Sequence, residues 1–459
     1  MRLPTMLLLA PLALATALFA QTESDEADAA MLRRLYDAAL TDSPMYGHLT
    51  ELVGKHPGRL SGSKSLEGAV QWAAGVLRTQ GVDRLELQPV QVPHWERGAK
   101  ESVRFIGSDG RAMPLNAFAL GGSVPTPAGG LRAPVIELHS LDELKTADVQ
   151  GRIVFFNGPM NPRHVRPGRA YGEAGKQRNQ GPAEAAQYGA VGVLTRSLTH
   201  RLDDHPHTGN TTYLPEAPRI PAAALSTVAA DRLSAALKAD PALQAELVIN
   251  SRWFDDAPAH NVIGEIRGSE FPDKVILVGG HLDSWDITPG AHDDGAGVVQ
   301  SIEVLRLLQA AGYRPRHTVR CVLFTNEENG LRGALEYARI VGEKREEHLL
   351  ALESDAGGFA PTGFQLGNTR GDAHTRAARW QPLFEPYGIR HFEGGGGGAD
   401  VGPLMAKGCT VGEILPDSQR YFDYHHTTTD TVDKVNPREL QLSAAAMAAL
   451  VYLFDRHGL

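Results

Sequence analysis

The sequence predicts an α/β protein with a mostly parallel central sheet between helical layers, interrupted by an inserted β-rich block. Three observations carry this. Continuously apolar runs such as "KVILVGGH" and "TVRCVLFT" suit strands buried on both faces. After residue 256 such runs alternate with segments of helical spacing, which is how strand–helix units enclose a sheet. Between residues 118 and 255 the pattern changes to short β-rich runs broken by polar loops.

Taken in order, the first twenty residues, "MRLPTMLLLAPLALATALFA", combine one arginine, an apolar run and small residues near the end. Acidic "QTESDEAD" follows at once, so residues 1–20 read as a secretory signal peptide rather than a membrane span. The expected protein is exported, either periplasmic or secreted, with no membrane span once mature. "DAAMLRRLYDAALTDSPMYGHLTELVGKHPGRLSGS" has helical apolar spacing, and "SLEGAVQWAAGVLRTQG" is a second helical stretch that stops at Gly81. "LELQPVQVPHW" and "ESVRFIG" alternate as strands do.

"FALGGSVPTPAGG" is a Gly/Pro-rich connector, and "GRIVFFNG", "GAVGVLTR" and "RIPAAALS" are the short β runs of the middle block. Residues 26–117 and 256–459 are thus expected to form one unit, with 118–255 inserted. Within the second part the spacing predicts strands over 274–280, 317–325 and 348–354 and helices over 296–311 and 330–343. Val298, Ile302, Leu305 and Leu308 fall on one face of the first of these helices.

A formal charge of −9 leaves no basic surplus to neutralise phosphates, which argues against nucleic acid or an anionic membrane as partner. Only Cys321 and Cys409 are present, so neither a disulfide framework nor a thiolate metal site is available. Both lie among apolar residues and are expected to be buried free thiols.

In open α/β sheets ligands gather at the carboxyl ends of the strands. "GGHLDSWD" offers His281 and Asp283 there, "GAHDDGAG" offers His292, Asp293 and Asp294, "TNEENG" offers Glu327 and Glu328, and "LESDAGG" offers Glu353 and Asp355. "YFDYHHTTTDT" adds His425, His426 and Asp430. Singly, each has an ordinary explanation: a surface carboxylate pair, a packed histidine, an aspartate capping a helix. Surface charge does not collect at successive strand ends, so together they point to a ligand site. Imidazoles and carboxylates without cysteine suit zinc or a similar divalent ion in hydrolysis.

These strings resemble the metallopeptidases of family M28, clan MH, from "GRLSGS" near residue 58 to the C-terminus. The resemblance implies a three-layer zinc-exopeptidase fold, with the middle block similar to a protease-associated (PA) domain. It implies two zinc ions per chain, with His281 and Asp355 on one, Glu328 and His426 on the other, and Asp293 bridging them. Glu327 is then the general base on the water between the metals. His426 is preferred to His425 because the family's ligand stands four residues before an aspartate, here Asp430.

Asp283 would hold the His281 ring in its metal-binding tautomer, and Asp294 would support the turn across a cis Asp293–Asp294 peptide. The glycine-rich "EGGGGGADVGPL" places Asp400 near the substrate or behind a ligand, and His425 is expected on the pocket wall. His292 is expected at the pocket edge without metal contact, and "DDHPHTG" as a solvated loop.

The implied activity is hydrolysis of dipeptides or short peptides with free ends. Two alternatives are an aminopeptidase acting on longer peptides and a mono-zinc, glutaminyl-cyclase-like acyltransferase, the latter disfavoured by the full ligand set. A receptor-like protein without catalysis is expected to lack ligands that this chain has. The partner is a peptide substrate, and a homodimer is left open.

Overall fold

A computed structural model describes residues 10–459, with side chains from residue 25 onward. The expected signal peptide, residues 1–20, lies outside the residues whose side chains are described. Among the described residues no helix is long and apolar enough to cross a membrane.

The main sheet has eight strands. They are β1 (Arg84–Glu96), β2 (Arg252–Ile266), β3 (Phe271–His281), β4 (His317–Phe324), β5 (Glu347–Glu353), β6 (Pro361–Gly367), β7 (His391–Gly394) and β8 (Thr410–Pro416). Their spatial order is β1-β2-β4-β3-β5-β8-β6-β7. The central run β4-β3-β5-β8 is parallel. The pairings β1-β2, β2-β4 and β6-β8 are antiparallel, so the expected mostly parallel sheet is a mixed one with a parallel centre.

Alternation along the central strands feeds two cores. Ile276 and Val278 join Val319, Cys321 and Leu323 on one face, under the helices Ala296–Ala310 and Pro437–His457. Val275 and Leu277 join Val322 and Phe324 on the other, under the helix Arg332–Lys344. Cys321 belongs to the first core and Cys409 to the second, so the sheet separates the two free thiols.

The helix Ala296–Ala310 is buried well beyond the one face that its spacing suggested, including Gln300, Ser301 and Glu303. It lies between the sheet and an outer layer that includes Pro437–His457 and Met45–Lys55. The helix Lys64–Gln80 begins at Ser63, whose side chain accepts from the Leu66 N–H, and ends at Gly81 in the left-handed conformation.

A second eight-stranded sheet carries the inserted block. Ser102–Ile106 and Ala112–Leu115 pair within it, ahead of the expected boundary at 118, whereas Arg252–Ile266 pairs into the main sheet. The block is not simply β-rich. Helices Pro167–Asn179, Gly181–Gln187 and Thr227–Ala239 accompany parallel strands Leu131–Leu138, Ile153–Phe156, Gly192–Arg196 and Ala222–Leu225.

Candidate metal centre

The carboxyl ends of the parallel strands converge on a cavity of about 510 Å³. Asp293, Glu327, Glu328, Asp355, His425 and His426 all lie on its wall. His281 is the last residue of β3, Glu327 and Glu328 follow β4 by three and four residues, and Asp355 follows β5 by two. Asp293 comes from the turn between β3 and the buried helix, and the two histidines follow the short helix Ser418–Asp423.

The Asp293 carboxylate stands between two sets of groups. Its Oδ1 is 3.4 Å from His281 Nε2, and its Oδ2 is 3.3 Å from His426 Nε2. On the first side His281 Nε2 is 3.4 Å from Asp355 Oδ1, and on the second His426 Nε2 is 3.1 Å from Glu328 Oε2. Most of these separations exceed the ordinary 2.7–3.2 Å of an N–H···O hydrogen bond. Two atoms each about 2.0–2.1 Å from a tetrahedral zinc stand about 3.3–3.4 Å apart. His281 Nε2 and Asp293 Oδ2 are also buried without a hydrogen-bond partner. Spacing, donor types and orphaned atoms all fit a pair of divalent cations sharing Asp293.

Both histidines are held so that Nε2 points inward. His281 Nδ1 lies 3.1 Å from the Asp283 carbonyl, and His426 Nδ1 lies 3.2 Å from the Thr208 carbonyl. A carbonyl only accepts, so each Nδ1 carries the proton and each Nε2 offers its lone pair. Asp283 is positioned through its main-chain carbonyl for the tautomer-holding role expected of it. Its carboxylate accepts from the N–H groups of Glu327 and Glu328 at 3.0 and 3.3 Å, fixing the turn that presents both glutamates.

The Asp293–Asp294 peptide is cis. Asp294 accepts from the N–H groups of His281 and Gly297, tying the end of β3 to the start of the buried helix. Asp430, offered by the sequence beside His425 and His426, accepts from His292 and Asp293 N–H at 2.7 and 3.1 Å and so anchors the same turn.

Arg59, within "GRLSGS", carries no role that its sequence signals. It is fully buried, and its guanidinium donates to the carbonyls of His56, Leu282, Pro289 and Gly290. Arg59→Met is expected to cost about 3 kcal/mol or more, because buried carbonyls lose their donors. Denaturant unfolding reads this, and a loss below about 1 kcal/mol would remove Arg59 as the brace of the 282–290 loop.

Three other expectations resolve differently from one another. His425 lines the cavity, stacked on His426 at 3.5 Å, with Nε2 3.6 Å from Asp293 Oδ2. His292 is not at the pocket edge: it is buried between Phe359 and Tyr424, and Nδ1 accepts from the Gly358 N–H. Burial lowers its pKa to about 4, so the ring is a neutral packing element. Asp400 is buried away from the cavity wall, and its N–H donates to Glu353. Gly398 permits this approach, since a Cβ there would meet the Glu353 carboxyl at 2.2 Å.

"DDHPHTG" is not a solvated loop throughout. His207 and Thr208 are buried, and Thr208 N–H donates to the His426 carbonyl at 2.9 Å. His207 Nδ1 lies 2.7 Å from the His425 carbonyl. The inserted block thus braces the segment that carries both cavity histidines.

Electrostatics differ sharply among neighbouring carboxylates. Burial opposes ionisation of Asp293, but His425, His281 and His426 outweigh it and hold its carboxyl below the usual range. Burial pushes Glu327 up to about 8; Asp355, Asp283 and Asp293 add to the shift and His281 opposes it.

The sequence pattern of peptidase family M28 matches residues 261–451. Human carboxypeptidase Q is 34% identical over 410 residues, which is 89% of this chain and 84% of that protein. An aminopeptidase of Bacillus subtilis is 25% identical over 420 residues, 88% of this chain and 82% of its own. Among solved structures, a peptidase M28 precursor from Shewanella amazonensis superposes with a TM-score of 0.89 at 34% identity, covering 95% of this chain and 98% of that one. A zinc aminopeptidase from Bacillus subtilis shares the fold, with a TM-score of 0.64 at 21% identity over 89% of this chain and 94% of its own.

Proposed function

The chain belongs to peptidase family M28, and on that premise we propose a dinuclear zinc exopeptidase that hydrolyses dipeptides or short peptides. The observation that carries the proposal is Asp293, whose two oxygens face separate histidines at 3.4 and 3.3 Å, each with its own carboxylate partner.

His281 and Asp355 would hold one ion, Glu328 and His426 the other, and Asp293 both. Zinc ions bound there would polarise the scissile carbonyl and lower the pKa of water. Glu327 has no place in either ligand set and lines the cavity beside them. In the proposed reaction it takes the proton of the attacking water and returns it to the leaving amine. Asp283 keeps Glu327 and Glu328 in register, so the base and a ligand move as one turn. The second sheet is read as a PA-type insertion, and the protein as an exported enzyme.

Zinc-loaded protein analysed by mass spectrometry should carry a pair of ions per chain and cleave unblocked dipeptides. Chelation should abolish cleavage and added zinc should restore it. A single ion at saturation, or activity that survives chelation, would overturn the dinuclear mechanism.

A further inference from the structure

We propose that Arg178 selects substrates by their free C-terminal carboxylate, one residue beyond the bond that is cut. This deepens the exopeptidase reading above and rests on it.

Arg178 lies in the last turn of the helix Pro167–Asn179 of the inserted block, on the wall of the same cavity as Asp293 and Glu327. It is 9% exposed. Its position is fixed: Nη2 donates to the Tyr171 hydroxyl at 2.6 Å and Nη1 to the Thr208 carbonyl at 3.3 Å. The guanidinium lies against Gly209, where a Cβ would come within 2.4 Å of Cζ. Each terminal nitrogen keeps a second N–H beyond these bonds, and Nε is buried with no partner.

Arg178 has no anion among the described residues and, unlike Arg59, whose guanidinium is taken up by four carbonyls, it has an Nε without a partner. Arg97 and Arg320, similarly buried, each face two carboxylates: Glu101 and Asp286 for the first, Glu265 and Glu346 for the second. No carboxylate pairs with Arg178 among the described residues. A buried unpaired cation is costly, and one on a cavity wall is offset when an anion enters. The planar fork suits a carboxylate held by two parallel hydrogen bonds.

The location supplies the reach. The Thr208 carbonyl meets both Arg178 Nη1 and His426 Nδ1, at 3.3 and 3.2 Å. The guanidinium is therefore one peptide oxygen away from a candidate ligand histidine. One extended residue spans about 3.3–3.6 Å, and a charge-assisted hydrogen bond adds about 2.8 Å. Arg178 and Asp293 line the same cavity of about 510 Å³, so a short substrate held at Asp293 shares its walls with the guanidinium. The opposite polarity has no counterpart here. The acids on the wall are Asp293, Glu327, Glu328 and Asp355, all used as ligands or base, so no carboxylate is spare to receive a substrate ammonium group.

The test compares alanylalanine with its C-terminal amide on the zinc-loaded full chain. Wild-type protein should favour the free acid by about 10–100-fold in kcat/KM, the worth of a hydrogen bond to a charged group. Arg178→Met should bring that preference below about threefold, chiefly through KM, with zinc content unchanged. Arg178→Lys keeps the charge without the fork and should retain only part of the preference, which serves if the methionine variant does not fold. A readout without turnover is calorimetric binding of alanylalanine to Glu327→Gln protein, expected to weaken about tenfold when Arg178→Met is added.

Equal cleavage of acid and amide by wild type, or a preference that survives in Arg178→Met, would overturn the proposal. If zinc-loaded wild type cleaves no dipeptide, the exopeptidase reading fails instead, and the binding comparison still reports on Arg178.

Discussion

Replacing Glu327 with glutamine is expected to reduce kcat by about 10²–10⁴-fold while the metals stay bound. The substitution preserves size and leaves the Asp283 clamp intact, because that clamp holds the Glu327 backbone N–H and not its carboxylate. What disappears is the capacity to take a proton from water. The proposed ligands His281, Asp293, Glu328, Asp355 and His426 are untouched, so metal content separates loss of the base from loss of the site. Steady-state hydrolysis with parallel metal analysis measures both. Turnover within about threefold of wild type would remove Glu327 from the role of base.

Asp293→Ala should show the opposite signature, with metal lost along with activity. Without its carboxylate, His281 and Asp355 on one side and His426 and Glu328 on the other no longer share an anion. Each ion would keep two protein ligands, fewer than the three that a catalytic zinc ordinarily has. Asp293→Asn is the sharper companion, since it keeps the shape but replaces one of the two oxygen donors with an amide NH2. Full zinc stoichiometry in Asp293→Ala would exclude a bridging role for that carboxylate.

The parallel heart of the fold was legible because its local signals agree with its environment. Val275 to Val278 are buried in a strand that also reads as one, and the chemical residues stand next to it in the chain. The strand-end rule therefore led from "KVILVGGH" to His281 directly. What escaped the sequence is whatever depends on distant partners. Asp430 stood among the candidates, but its role shows only when it is seen receiving the His292 and Asp293 N–H groups from 138 and 137 residues away. Thr208 and Arg178 lie within a block that shows no catalytic motif, and only folding brings them to His426.

Helix Pro167–Asn179 was missed for a local reason. Gly168, Gly172 and Gly175 are poor helix formers, and its arginine and lysine residues make it read as a polar loop. Ser102–Ile106 pairs into the second sheet ahead of the expected boundary because an alternating strand looks the same whichever sheet it joins.

The Thr208 contact has a consequence for how such enzymes diversify. One backbone oxygen orients a candidate metal-binding imidazole and steadies a cation from the inserted block. The insertion is thus not a detachable module grafted beside a finished catalyst. Exchanging it for a relative's is expected to disturb the support of His426 and the position of Arg178 in a single step.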